Sequence, residues 1–345
     1  MEFARLWGLV LLVLVAGPAW AQADKRLPIL DVHLHASAPD GQGPPPMVMC
    51  APLAAMPVWD PVKGPYAEMF LRAFKEPACK DPIWSPTTEE EMRKRTLAQL
   101  QKYNVIGVLS ADDDANLAIW SQAAPGRIIP SATPFDILKI DQAAIDKVKA
   151  MKQAGELVVL GEVGTQYRGI SPDDPRMEPF WKLAEDLDLP VGIHVGTGPP
   201  GAPYLSDGLQ RYRARLHSPM TIEEVLVKHP RLRVYLMHAG YPMLDDLLAV
   251  LYTHPQVYVD VGVIVYTQPR PAFYRYLQTI VEAGFGQRVM FGSDNMIWPE
   301  SIERAIKTIE EAPFLDAQQK RDILYNNAAR FLRLSQEEMD RHHKM

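Results

Sequence analysis

Eight short runs of β-branched and other apolar residues recur along the 345-residue chain, and helical patterns separate most of them. Most of these runs are continuously hydrophobic, which is typical of parallel strands that are buried on both faces. Strands that alternate with helices predict a parallel sheet, and eight such units predict a (β/α)8 TIM barrel, an α/β fold. The predicted strands are 29–33, 105–109, 128–132, 157–162, 191–195, 234–237, 257–263 and 289–291.

The main alternative to a barrel is a doubly wound open sheet, and the chain length would also fit two average domains. No GxGxxG motif follows any predicted strand, which disfavours a dinucleotide-binding open sheet. We therefore expect one barrel domain that spans residues 24–345. The predicted helices are 90–102, 142–152, 177–187, 222–228, 243–252, 272–282 and 301–310.

Residues 1–23 have the pattern of a secretory signal peptide and are not expected to belong to the fold. A short positively charged segment precedes an eleven-residue apolar run, 6–16, and the small-x-small sequence 19–21 follows as a cleavage site. The apolar run is too short to span a membrane. We therefore expect an exported protein, periplasmic or secreted, with no membrane span once the signal peptide is removed.

The net charge of the chain indicates which kinds of binding partner are plausible. Lys and Arg total 36 and Asp and Glu total 42, which gives a net charge of −6, and there is no long basic run. A mildly acidic chain of this kind is a poor candidate for binding nucleic acid. The expected partner is a small-molecule substrate, and the sequence does not predict an oligomeric state.

One connection is much longer than the others. From residue 36 to about 88 there is no sustained period, and residues 39–65 contain eight prolines, which excludes a regular helix or central strand there. This segment, the insertion (residues 36–88), follows the first strand and so leaves from the face of the barrel that holds active sites. We predict a lid or pocket wall, and the alternative is an ordered surface excursion without a catalytic role. The large apolar residues that argue against disorder are Met47, Met49, Met56, Trp59, Tyr66, Phe70, Phe74 and Trp84.

Both cysteines of the chain, Cys50 and Cys79, lie in the insertion. Export to an oxidising compartment favours a disulfide between them, with two free thiols as the alternative. No CxxC pair is present, so a cysteine-based metal site is not expected.

His33 and His35 close the first predicted strand as an HxH pair. In an extended strand, residues two positions apart point to the same side, so the two imidazoles can reach one point at the barrel mouth. Neutral imidazole suits Zn²⁺ and related divalent ions. The pair alone is weak evidence, because two polar residues at a strand end would have the same pattern.

Four further ionisable residues, Glu162, His194, His238 and Asp294, stand where an apolar run gives way to a glycine-bearing turn. An ionisable group in such a strand is costly to bury unless it is paired or bound to a metal. All of these strand ends converge on one face of a barrel. The sequence therefore predicts a metal centre formed by His33, His35, Glu162, His194, His238 and Asp294.

This arrangement resembles the amidohydrolase superfamily, and more closely its amidohydrolase-related branch of metal-dependent TIM-barrel hydrolases. The shared motif is an HxH on the first strand, His on the fifth and sixth strands, and Asp on the eighth. The branch often ends the eighth strand with FGSD and a following Trp-Pro pair, here residues 291–294 and 298–299. Its C-terminal helix motif is matched at 327–332, so the resemblance spans residues 31–334.

The resemblance implies that His33, His35, His194 and Asp294 hold the metal, with Zn²⁺ as the favoured ion and one or two ions bound. Glu162 stands where other members place a carboxylated Lys or a Glu, and there it would bridge two metals or ligate one. The alternative role for Glu162 is that of a hydrogen-bond partner that orients a ligand imidazole.

The chemistry expected from this centre is hydrolysis of an amide, ester or lactone bond. A bound divalent ion lowers the pKa of its water ligand to about 7, and Asp294 can take the water proton and deliver it to the leaving group. His238 would bind a second metal, or polarise the substrate carbonyl if there is only one. The runner-up is a metal-dependent non-oxidative decarboxylase of the same branch, and a non-catalytic binding barrel is a third class.

Further substrate-binding candidates lie in loops on the same face of the predicted barrel. An Arg in the loop after the fifth strand could clamp a substrate carboxylate, or could pair instead with a loop acid such as Asp207. Tyr167 and Arg168, just after Glu162, are weaker candidates of the same kind. Trp298 either lines the pocket or packs the loop after the eighth strand. The arginines are Arg211, Arg213 and Arg215.

Overall fold

The computed structural model describes residues 26–111, 113–133 and 135–345. The predicted signal peptide, residues 1–23, lies outside these described residues. Within them, no helix is both long and apolar enough to cross a membrane.

The described residues contain ten strands, of which eight form one parallel sheet. They are β1 (Ile29–Ala36), β2 (Val48–Met49), β3 (Ile83–Trp84), β4 (Val105–Ala111), β5 (Ile128–Ala132), β6 (Val159–Val163), β7 (Val191–His194), β8 (Val234–Met237), β9 (Tyr258–Asp260) and β10 (Val289–Met290). The order in the large sheet is β1-β4-β5-β6-β7-β8-β9-β10, so neighbours in space follow the chain. The Val32 N–H on β1 donates to the carbonyl of Phe291, directly after β10, over 2.9 Å. This bond closes the sheet into the predicted TIM barrel.

Helices connect these strands and follow the last one. In the part of the chain that the structure describes they are α1 (Tyr66–Ala73), α2 (Glu89–Lys102), α3 (Asp114–Ala123), α4 (Gln142–Ala154), α5 (Glu178–Asp186), α6 (Glu223–Lys228), α7 (Leu244–Thr253), α8 (Ile264–Thr267), α9 (Arg270–Ile280), α10 (Ser301–Glu310), α11 (Ala317–Arg321), α12 (Asn327–Leu332) and α13 (Gln336–Lys344). The seven predicted helices correspond to α2, α4, α5, α6, α7, α9 and α10, each within about two residues at its ends.

Local chemistry explains where several elements begin and end. The Thr88 side chain accepts a hydrogen bond from the Glu91 N–H and starts α2, and α4 ends at Gly155, which adopts a left-handed φ of 73°. The predicted strand 257–263 is wrong at its C-terminal end. β9 stops at Asp260, and Val263, the last residue of the predicted strand, has a φ of 52°, which lies outside the β region.

The barrel wall separates two hydrophobic clusters. Leu30 and Val32 on β1 belong to the inner cluster, together with Tyr235 and Met290 from other strands. Leu34, further along β1, belongs to the outer cluster between the strands and the surrounding helices. Each fully buried side chain of this size stabilises the fold by about 1.5–3 kcal/mol. The packed interior therefore forms a rigid base below the C-terminal ends of the strands.

The insertion contains more regular structure than the sequence predicts. β2 and β3 pair antiparallel, and α1 lies between them in the chain. The prediction of no sustained period is wrong for α1, because a helix of eight residues is too short for its period to stand out beside so many prolines. A disulfide joins Cys50 to Cys79, with a Cα–Cα distance of 5.7 Å.

The insertion packs on loops at the C-terminal face of the barrel. The Tyr66 hydroxyl donates to the Pro200 carbonyl over 2.7 Å, in the loop after β7. Trp298, in the loop after β10, is buried; its ring lies 5.7 Å from that of Phe74, and its Nε1 donates to the Met47 carbonyl over 3.2 Å. Trp298 therefore packs against the insertion and anchors it to the loop after β10.

Breaking the disulfide should loosen the insertion more than the barrel. The two cysteines are 29 positions apart in the sequence, and for a loop of this length the chain-entropy model gives a stabilisation of about 3–4 kcal/mol. We expect the Cys50→Ser/Cys79→Ser variant to be cleaved by protease within the insertion first, while the barrel melts cooperatively as in wild type. The check is limited proteolysis followed by mass spectrometry. Two titratable thiols in denatured wild-type protein, or loosening spread evenly over the barrel, would contradict this expectation.

Candidate metal centre

The first two candidate ligands owe their direction to an irregularity in β1. Leu30 and Val32 face the barrel interior, so strict alternation would turn His33 and His35 toward the helices. The pairing of β1 with β4 shifts register around His33. A bulge of this kind re-aims the side chains that follow it. Both imidazoles consequently lie at the barrel mouth, with ring centroids 5.1 Å apart.

The other candidate ligands stand at the C-terminal ends of four more strands. Glu162 lies in β6, whose pairing with β7 also shifts register at this point. His194 is the last residue of β7, and His238 directly follows β8. Asp294, after β10, has a left-handed φ of 51°. Such conformations are rare outside glycine and cluster at functional sites.

The carboxylate of Glu162 lies at the centre of four imidazoles. Its Oε2 is 3.6 Å from His33 Nε2 and 3.4 Å from His35 Nε2. Its Oε1 is 3.7 Å from the Nε2 atoms of both His194 and His238. Oε2 therefore faces the two imidazoles of β1, and Oε1 faces the imidazole at the end of β7 and the one directly after β8.

Asp294 closes the cluster from another side. Its Oδ1 is 3.2 Å from His35 Nε2 and 3.8 Å from His33 Nε2, and its Oδ2 is 3.8 Å from His238 Nδ1. The candidate ligand atoms form three overlapping sets, and within each set all atoms lie within 4.8 Å of one another. The structure thus brings together all six side chains predicted from the sequence: His33, His35, Glu162, His194, His238 and Asp294.

The ring nitrogens fit the metal that this donor set implies. The Nε2 atoms of His33 and His238 are buried and have no hydrogen-bond partner among the described residues. The Nδ1 of His33 is held by Asp260 Oδ2 at 3.0 Å, and that of His238 by the Gly262 carbonyl at 2.9 Å. An unpartnered buried nitrogen is costly, and coordination of a divalent cation would satisfy it.

Neighbouring charges keep the acids of the centre ionised. Burial alone would raise the pKa of Glu162, but the imidazoles of His238 and His33 close to it hold it well below its usual range. Burial would also raise the pKa of Asp294, yet the charge of His33 keeps it below its ordinary value. For His33, burial would lower the pKa, but the charges of Asp294 and Asp260 raise it well above normal. The cluster therefore offers anionic oxygens to a cation or a proton.

Two fully buried acids beside the centre were not singled out from the sequence. Asp260, the last residue of β9, contacts the His33 ring. Asp31, in β1, accepts hydrogen bonds from the N–H groups of His33 and Ser293, and burial raises its pKa to about 7. Both are acids within apolar predicted strands, which is the same signal that identified the ligands.

A polar wall lies next to His194, and Tyr167 is the one member of it that was predicted from the sequence. The Tyr167 hydroxyl is 2.9 Å from His194 Nε2, and the Gln166 amide nitrogen is 2.8 Å from His194 Nδ1. His217 Nδ1 lies 3.3 Å from that amide, and its ring packs on Tyr212. Burial lowers the pKa of His217 to about 4 and raises the pKa of Tyr167 well above its usual value. This wall is therefore uncharged near pH 7.

The arginines that were candidate substrate clamps are exposed, and none of them forms an ion pair with the cluster among the described residues. Arg168 is half-exposed and pairs with Asp136 at 2.5 Å. The three arginines after β7 are exposed, and among the described residues none of them forms an ion pair, so the expected alternative of pairing with Asp207 is not observed. These three are Arg211, Arg213 and Arg215. The same loop instead contributes buried Tyr212 and His217, which a charge pattern does not reveal.

Solved structures share this fold at low sequence identity. An uncharacterised TIM-barrel protein of Bordetella bronchiseptica has a TM-score of 0.59 at 17% identity, over 91% of this chain and 100% of its own. A probable 2-pyrone-4,6-dicarboxylic acid hydrolase of Acinetobacter baumannii, solved with citric acid, has 0.56 at 15%, over 89% and 100%. A dihydroxybenzoic acid decarboxylase of a Polaromonas species, solved with manganese and 2-nitroresorcinol, has 0.56 at 15%, over 90% and 99%. At these identities the likeness establishes the TIM-barrel fold.

The family of the chain follows from its sequence match. No curated protein matches it at a significant level. A family model, described as Amidohydrolase, matches residues 30–334, which extend from β1 to just beyond α12 and include all six side chains of the cluster. The chain therefore belongs to the amidohydrolase family.

Proposed function

We propose that this chain is an exported, metal-dependent hydrolase that cleaves an amide, ester or lactone bond of a small-molecule substrate. The observation that carries the proposal is the convergence of four imidazole Nε2 atoms on the Glu162 carboxylate, with Asp294 beside them. Zn²⁺ is the favoured ion because it suits imidazole and carboxylate ligands, with one or two ions bound. The disulfide between Cys50 and Cys79 supports export, since such bonds persist in oxidising compartments.

Asp294 is the proposed proton-transfer group. A divalent cation in the cluster would supply an acidified water at neutral pH and would draw electron density from the substrate carbonyl. Asp294 is buried next to His35 and is held ionised, so its free oxygen can accept the proton of the attacking water. The same carboxyl group can then return the proton to the leaving group.

His238 has two possible roles that depend on the number of ions. Its Nε2 faces Glu162, and with a second cation present it would serve as a ligand. With one cation it would act as a proton donor to the substrate carbonyl. Burial alone would lower the pKa of His238, but Glu162 and Asp294 raise it, which favours the protonated ring that such a donor requires.

The alternative function is a metal-dependent non-oxidative decarboxylase, the activity named for the Polaromonas neighbour. A decarboxylase must hold a substrate carboxylate, for which a free guanidinium is well suited. Arg168 is already paired with Asp136, and the arginines without an ion pair in the described part of the chain, Arg211, Arg213 and Arg215, are exposed. The wall of Tyr167 and His217, which lies directly beside the centre, is neutral. These observations favour a neutral carbonyl group as the reacting substrate, and hence the hydrolase.

Product analysis separates the two functions. We expect the purified protein to contain a bound divalent metal and to turn over at least one member of a panel of esters, lactones and amides. In water enriched in ¹⁸O, the label should enter the product carboxylate without release of CO₂, because water is the nucleophile. Aromatic carboxylic acids are assayed in parallel. Release of CO₂ without incorporation of label would establish the decarboxylase, and a protein purified without metal would contradict both functions.

A further inference from the structure

Asp260 is joined to two members of the cluster by hydrogen bonds. It ends β9 and is fully buried. Its Oδ2 lies 3.0 Å from His33 Nδ1. Its Oδ1 accepts from the N–H of His238 over 2.9 Å and from the N–H of Gly262 over 2.8 Å. One carboxylate thus holds the side chain of one candidate ligand and the backbone of another.

The contact with Asp260 determines which nitrogen of His33 is free. A carboxylate oxygen can only accept, so the hydrogen between the two groups sits on Nδ1 of the imidazole. The Nε2 atom of His33 then points at Glu162 and Asp294, and it is buried without a hydrogen-bond partner in the described part of the chain. Once His33 is deprotonated, as metal ligation requires, a ring held in this way presents its Nε2 lone pair to the centre.

Asp260 also fixes the distance between two ligands that come from opposite parts of the chain. His33 follows the bulge in β1, and His238 has a left-handed φ of 62° directly after β8. Their ring centroids are 5.2 Å apart. Neither backbone conformation is regular, so the carboxylate that bonds to both residues is what holds them in register.

We propose that Asp260 is a positioning residue that locks His33 in the Nδ1–H tautomer and fixes it relative to His238, so that the Nε2 atom of each ring faces the centre. The inference rests on the proposed function in one respect, namely that the centre binds a divalent metal. It adds a residue outside the ligand set on which metal affinity depends.

Replacing Asp260 by Asn is expected to change the tautomer of His33 and to keep the other hydrogen bonds of residue 260. The amide oxygen can still accept from the N–H groups of His238 and Gly262, which places the NH₂ group opposite His33 Nδ1. Two N–H donors cannot face each other, so His33 must adopt the Nε2–H tautomer, and its metal-binding lone pair is lost. The reverse orientation of the amide would leave two buried backbone donors facing an NH₂ group, at a higher cost.

Asp31 provides a matched control. It is also fully buried, and its Oδ1 also accepts two backbone N–H bonds, from His33 over 3.0 Å and from Ser293 over 2.9 Å. Its Oδ2 contacts no imidazole and has no hydrogen-bond partner among the described residues. Asp31→Asn therefore makes the same substitution at a matched site without changing the tautomer of any imidazole ring.

The experiment compares metal binding in wild type, Asp260→Asn and Asp31→Asn by titrating each metal-free protein with Zn²⁺. We expect Asp260→Asn to bind roughly 10–100-fold more weakly, as is typical when the partner of a ligand imidazole is lost, and Asp31→Asn to stay close to wild type. Circular dichroism and thermal melting verify that each variant is folded. Equal affinity in wild type and Asp260→Asn would overturn the inference, whereas absence of binding in wild type would overturn the proposed function.

A second measurement keeps the test decisive if Asp260→Asn does not fold. In ¹⁵N-histidine-labelled wild type without metal, the His33 ring should carry its exchange-protected proton on Nδ1, with the resonance assigned from its loss in His33→Gln. A wild-type His33 ring with an unprotonated Nδ1 would overturn the inference on its own.

Discussion

Replacing Asp294 by Asn or His33 by Ala is expected to abolish turnover while the barrel remains folded. Each side chain contacts several members of the cluster, and loss of a partner outside a ligand set already costs roughly 10–100-fold in affinity or activity. Loss of a ligand that also transfers a proton should cost more. The measurement is kcat/KM together with the metal content of each purified variant.

The two substitutions differ in their expected effect on stability. Asp294→Asn preserves the shape of the side chain, so its melting temperature should stay near that of wild type. His33→Ala leaves the buried Asp260 carboxylate without its ring partner, at a cost of about 1–3 kcal/mol. The barrel should survive this loss, because the packed interior lies below the ligands. Asp340→Asn and His343→Ala, at exposed positions, are the matched controls and should behave as wild type.

Activity within tenfold of wild type in either ligand variant would rule out the proposed centre. Loss of activity that accompanies complete unfolding of His33→Ala would not count in its favour, and Asp294→Asn would then be the deciding variant. Its metal content separates the two roles of Asp294, because a ligand variant loses metal and a pure proton-transfer variant retains it.

Glu162→Gln is expected to lose close to one equivalent of metal and nearly all turnover. The two oxygens of Glu162 face different pairs of imidazoles, His33 with His35 on one side and His194 with His238 on the other. This arrangement suits a carboxylate that bridges two cations, which in two-metal sites lie about 3.5–4 Å apart and need negative charge between them. Glutamine keeps the shape of the side chain and removes that charge.

The measurement is metal stoichiometry on wild type and Glu162→Gln prepared identically. If Glu162 instead orients an imidazole, the variant should keep its metal and lose roughly 10–100-fold in affinity or rate. One equivalent of metal in both proteins would refute the bridge, and His238 would then be assigned to carbonyl polarisation. Exposed Glu337→Gln serves as the control for the chemical change itself.

The barrel and the composition of the cluster could be predicted because both depend on local signals. Buried parallel strands are recognisable as apolar runs, and His194 or Asp294 stand out at their ends because an unpaired ionisable group is costly there. The family model, matched over residues 30–334, confirms the recognised family.

The features that escaped prediction depend on contacts between distant segments. Asp260 carries the same signal as the ligands, but its importance rests on a bond to His33 across 227 positions of the chain. In the loop after β7, the arginines were the residues predicted to bind substrate. The structure instead buries Tyr212 and His217, and a charge pattern does not indicate which residues are buried. Helix α1 is stabilised by packing such as the bond from Tyr66 to Pro200, which local propensity does not report.

The register shift in β1 has a consequence for anyone who wishes to transplant this centre. Before the shift, the even-numbered side chains Leu30 and Val32 face the barrel interior. After it, the odd-numbered side chains face that side. An HxH pair grafted at the same height onto a regular strand would direct its imidazoles into the helical layer. The transferable unit is therefore the whole segment 31–35 with its irregular backbone. An alignment that matches the two histidines alone, without the one-residue shift, would place their side chains on the wrong face of the sheet.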